Sequence, residues 1–133
     1  MSVTITLMYY AKNKNGDIIE RGSTRAIIYK NFTRPYPEEL FIELKEKFPL
    51  KTIVVYDSEG ENRDLYRDAY ILDNSKLNDI LNYILDKTNE TKKEDEILLY
   101  NLNIIKEFIE IKINSPSYSN NENIGIEIDY YYI

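Results

Sequence analysis

With no Cys and no His among its 133 residues, the chain can do chemistry only through carboxylates, amines, guanidiniums, hydroxyls and phenols. Thiol nucleophiles, disulfide staples, zinc sites, imidazole bases and the Ser-His-Asp relay each need one of the absent types. Two acidic runs are the first candidates: Asp57, Glu59, Glu61, Asp64 and Asp68, and the consecutive Glu94, Asp95 and Glu96. The first run invites comparison with a calcium loop, but Gly60 stands at its fourth position rather than the sixth, and no Glu stands at the twelfth. No pair of carboxylates has a spacing diagnostic of acid–base catalysis. The expectation is therefore a protein without catalytic residues, without a metal and without a cofactor, whose acids face a partner.

Charge is distributed unevenly. Residues 1–34 carry six cations against Asp17 and Glu20, a balance of +4, whereas residues 35–133 carry eleven cations against twenty-one carboxylates, a balance of -10. The whole chain is at -6 with an isoelectric point near 4.8, a composition that argues against direct binding to duplex nucleic acid. Such a field steers association. In the basic part, Arg21, Arg25 and Arg34 accompany Tyr10, Tyr29 and Tyr36. Guanidiniums of that kind pair with phosphates and phenol rings stack on planar bases, although cross-strand packing of Arg on Tyr has the same composition. The 13 tyrosines come with 20 Ile and 14 Asn, and their shared A/T-rich codons account for the aromatic content by genome bias, as in a phage or bacterium.

These groups need elements to hold them. Ser2 to Lys12 alternates as a half-buried strand, with Val3, Ile5, Leu7 and Tyr9 on one face. Asn15-Gly16 then predicts a two-residue hairpin turn, which sets Leu7 opposite Thr24 and Ser2 opposite Tyr29, with Gly22 able to shift the register by one near the turn. Pro35 and Pro37 form a connector, and Leu40, Phe41, Leu44 and Phe48 recur at helical spacing until Pro49. Thr52 to Tyr56 predicts a strand and Leu65 to Leu72 its return. Asp73, Asn74 and Ser75 supply capping side chains for a helix carrying Leu77, Ile80, Leu81, Ile84 and Leu85. Thr88 to Lys93 predicts a polar linker, and a further helix starts near Glu94. From Phe108 the pattern fits helix and strand alike; helix to about Lys112 is favoured. Asn114 to Asn123 predicts a loop, and Ile124 to Ile133 a strand that must pair within the sheet or across a subunit boundary.

The order predicts a single α+β domain over residues 1–133: a mainly antiparallel sheet of N-terminal hairpin, central strand or hairpin and C-terminal strand, with three helices largely on one face. The other face is then open and exposes Tyr10, Arg21, Arg25 and Tyr29. No Gly-rich phosphate loop, nucleophile elbow or fixed-period repeat is present, and no stretch has the length or apolarity of a membrane span or a signal peptide. The function expected is a non-catalytic interaction module in the cytoplasm. It would be an inhibitor or immunity-type protein of phage anti-defence style that sets its acids against a basic, nucleic-acid-processing protein. A nucleotide- or anion-sequestering protein working through the basic hairpin is the alternative. Edge pairing into a homodimer fits either.

Overall fold

Both faces of the first strand are buried, and this organises the fold. The computed structural model describes residues 2–12, 18–19, 27, 29–48, 51–56, 66–115 and 122–131. In β1 (Ser2–Lys12) the odd positions Ile5, Leu7 and Tyr9 and the even positions Thr6, Met8 and Tyr10 are all withdrawn from solvent. There follow β2 (Ile18–Ile19), β3 (Tyr29–Asn31), α1 (Glu38–Lys47), β4 (Lys51–Tyr56), β5 (Tyr66–Ile71), a 3₁₀ turn (Asn74–Lys76), α2 (Leu77–Glu90), α3 (Glu96–Ile113) and β6 (Glu122–Tyr131). The architecture is α+β, a mainly antiparallel sheet with helices against it, as the sequence predicts.

The sheet order is β2-β4-β5-β6-β1-β3, and β2 pairs with β1 as well as with β4, so that β1, β6, β5, β4 and β2 form a closed ring of pairings. Closure passes through one parallel pair, Ile19 with Tyr56. Two cores result. On one face Ile5, Leu7, Tyr9, Ile124 and Ile126 pack with residues of all three helices, including Leu44, Ile84 and Ile105. There Tyr9 stacks on Phe108 with centroids 4.4 Å apart and donates its hydroxyl to the Phe108 carbonyl at 2.7 Å. On the opposite face Met8, Tyr10, Ala69 and Ile71 form a smaller cluster. The open second face predicted from the sequence is thus corrected at Tyr10, which is fully buried, with Thr6 and Met8 buried on the same face, where the sheet returns on itself; Tyr29 is exposed as expected, and Arg21 and Arg25 lie outside the described residues.

The hairpin register also differs from expectation. The Asn15-Gly16 turn lies outside the described residues, but Ala11 faces Ile19 and Lys12 faces Ile18, one residue away from the predicted pairing. Further along, Leu7 faces Lys30 and Met8 faces Tyr29, six residues beyond it. An even slip leaves each residue on the face alternation assigns to it, so alternation cannot choose between the two registers. Tyr29 stands opposite Met8, not Ser2, and remains exposed.

The helices form where their caps and apolar stripes allow. Asp73 accepts the Ser75 amide at 2.9 Å and opens the 3₁₀ turn that leads into α2. Helix α2 continues to Glu90, past the predicted start of the linker at Thr88. The hydroxyls of Thr88 and Thr91 donate back to the carbonyls of Ile84 and Lys87 at 2.8 and 2.7 Å, so these residues terminate the helix later than their polarity suggests. Asp95 caps α3 by accepting the Leu98 amide at 3.3 Å. Phe108, Ile109 and Lys112 are buried together on one helical face, which settles the ambiguous 108–113 stretch as helix. Strand β6 pairs with β1 over ten residues and with β5 at residues 125–127, and its Ile124 and Ile126 are buried. Among the described residues no helix is long and apolar enough to cross a membrane.

Candidate functional site

The segment between β3 and α1 is fixed from three sides. Phe32 donates its amide to the Ile5 carbonyl at 2.8 Å and packs edge-on against Phe41. The carboxamide of fully buried Asn101 takes the Thr33 amide at 2.8 Å and returns a bond to the Thr33 carbonyl at 2.9 Å. Arg34 donates to the Val3 carbonyl and, through Nε, to the Tyr36 hydroxyl at 3.3 Å, while that hydroxyl donates to the same Val3 carbonyl at 3.0 Å. The guanidinium carbon lies 5.5 Å from the Tyr36 ring centroid. Arg34 and Tyr36, both predicted to grip a ligand, are therefore brought together, but with polar atoms engaged in holding the connector to β1.

So held, the connector runs beside the start of α3 and leaves a groove of about 400 Å³. One wall is Pro35, Tyr36 and Pro37 with the first turn of α1; the other is the beginning of α3. Leu40, Ile97 and Leu98 supply its apolar surface. Glu38, Glu39, Glu43 and Asp95 supply four carboxylates, and Lys87 is the cation among the described lining residues. Lys87 is already engaged, with its Nζ 2.8 Å from Glu43. The Tyr83 hydroxyl donates to the same carboxylate.

Titration follows from those contacts. The hydrogen bond from Lys87, and then that from Tyr83, hold the Glu43 carboxyl below the ordinary carboxylate value. The bond to Glu43 raises the Lys87 ammonium, and burial, followed by the bond to Glu43, raises the Tyr83 phenol. Because the folded carboxyl is depressed, its contribution is complete above the unfolded Glu value near 4.3 and is lost as pH falls through the lower folded value. Both partners are raised, so their share is complete below about pH 10 and fades in strong alkali. We expect Glu43→Gln to lower the melting temperature slightly at pH 7, with the gap from wild type closing on acidification below about pH 4. Thermal melts of the two proteins across that range check this.

The balance of charge in the groove decides what it attracts. Glu43 and Lys87 cancel, leaving Glu38, Glu39 and Asp95. The N-termini of α1 and α3 both open onto the groove, and each contributes roughly half a positive charge. About one of the three negative charges is offset in this way, and roughly two remain. The acids are spread along two walls, and among the described residues no three of them are grouped to hold a metal ion.

Of the residues singled out from the sequence, Asp95 and Tyr36 line this groove. Glu94 and Glu96 are exposed beside Asp95 at the start of α3. Asp68 lies in β5, paired with Val54 of β4. Asp57, Glu59, Glu61, Asp64, Arg21 and Arg25 lie outside the described residues. Sequence reasoning missed Glu38, Glu39, Glu43 and Lys87 as site residues. The signal that could have found two of them is local: Glu39 and Glu43 are spaced i, i+4 and share one face of α1. No protein-family model, curated protein or solved structure matches the chain.

Proposed function

We propose that this protein acts without catalysis, by laying an acidic face on a basic surface of another protein. The partner that best fits is a nucleic-acid-processing protein in the cytoplasm, whose cationic channel accepts carboxylates in place of phosphates; the role is that of an inhibitor or immunity protein. The observation that carries this reading is the groove between α1 and α3, with its residual negative charge and apolar floor. An overall charge of -6 is modest for mimicry of a whole nucleic acid, so a local patch is the working unit. The nucleotide-sequestering alternative would rest on Arg21, Arg25 and Tyr29, since Tyr10 is buried and Arg34 and Tyr36 are bound to β1.

The test is calorimetric titration against purified basic nucleases at low and high salt. Binding should weaken with salt and fall roughly tenfold per reversed charge in Glu39→Lys and Asp95→Lys. Binding indifferent to both salt and charge reversal would reject the electrostatic reading. A nucleotide that raises the melting temperature, with the rise lost in Arg25→Ala, would favour sequestration instead.

A further inference from the structure

We propose that the groove between the proline connector, α1 and α3 is a socket for an arginine side chain of the partner protein; this rests on the acidic-face reading above and specifies its anchor. At about 400 Å³ the cavity is at the small end of the range of ligand pockets, roughly 300–1,000 Å³, a size that suits a side chain and its neighbours rather than a chain of nucleotides. Its chemistry is divided as a long cationic side chain is divided. Pro37, Leu40, Ile97 and Leu98 offer apolar surface to the aliphatic stem, while Glu38, Glu39 and Asp95 offer carboxylates to the charged end.

Three physical comparisons lead to arginine. An anion is disfavoured, because the carboxylates outweigh the two helix N-termini by roughly two charges. A divalent ion is disfavoured, because it needs oxygens gathered around a point, and these are distributed along two walls. A planar guanidinium with five donors can serve carboxylates on opposite walls at once, whereas an ammonium acts as a point charge. Ile97, exposed and part of the groove lining, offers further apolar surface to the residue next to the arginine.

The probe is the blocked tripeptide acetyl-Leu-Arg-Leu-amide, titrated into the full chain while backbone amide resonances are followed by NMR. Amides of Glu38 to Leu40 and Ile97 to Leu98 should shift and saturate. Replacing arginine by citrulline, which keeps the shape and removes the charge, should weaken binding roughly tenfold or more. Asp95→Asn, which retains an N-capping side chain, and Glu39→Gln should each weaken it several-fold with the remaining spectrum unchanged. Equal binding of the citrulline peptide, shifts confined to other regions, or shifts of these same amides by inorganic phosphate in place of the peptide would each overturn the socket. The outcomes separate the two proposals: a silent arginine peptide combined with nuclease binding that still responds to charge reversal defeats the socket and leaves the acidic face standing.

Discussion

Gly125→Ala should destabilise the protein by about 1–3 kcal/mol and lower its melting temperature by roughly 5–15 °C. Gly125 sits in β6 opposite Met8 of β1 and Ile71 of β5, facing the smaller core. A Cβ there would lie 2.5 Å from Cε2 of Tyr10 and 2.6 Å from Cδ1 of Ile71. The Ile71 methyl can rotate away, but the Tyr10 ring is fully buried and has nowhere to go. Restricting the unfolded chain by a Gly to Ala change stabilises by about 0.4–1 kcal/mol where the native backbone accepts Ala, so the steric term wins. The cycle with Tyr10→Leu identifies the clash. Tyr10→Leu alone leaves a cavity, and the double variant should be more stable than the two single costs predict, by about 0.5–3 kcal/mol. Additive costs in chemical denaturation would show that the ring is not what the new methyl meets.

That tyrosine also marks the limit of what local pattern reveals. The three helices, the cap at Asp73 and the long strands were legible because each is encoded by neighbours in sequence: the apolar spacing of Leu77, Ile80 and Ile84, or the alternation of Val3 to Tyr9. The closure of the sheet was not, because it depends on a two-residue strand and one parallel pair, Ile19 with Tyr56, too short to leave a periodic signature. Without closure, the even face of β1 reads as solvent-facing, and Tyr10 reads as part of a binding platform. The groove was half legible for the same reason. Asp95 is visible at the predicted start of a helix, but the contact that brings residue 33 to residue 101, and with it α1 to α3, has no local trace.

That contact makes Asn101 the second position of large expected effect. Its carboxamide is fully buried in α3 and uses both ends on Thr33, accepting from the amide and donating to the carbonyl. Asn101→Leu keeps the volume but sets an apolar group against two backbone polar atoms, a loss of about 2–4 kcal/mol. Asn101→Asp is the sharper test. An ionised carboxylate can still accept from the Thr33 amide, but its second oxygen confronts the Thr33 carbonyl with no proton between them. Burial and that repulsion raise the folded carboxyl above the unfolded Asp value near 3.9. The sign follows: at pH 7 the unfolded state holds the charge at lower cost, so the variant is destabilised beyond Asn101→Leu. As pH falls through the raised folded value the carboxyl takes up a proton and can donate to Thr33 as the amide did. Stability of Asn101→Asp relative to wild type should therefore recover between about pH 7 and pH 4, while that of Asn101→Leu stays parallel to wild type. Denaturation midpoints measured across that interval distinguish the two. A deficit in the Asp variant that does not change with pH would mean that Asn101 holds the connector by shape rather than by its paired hydrogen bonds.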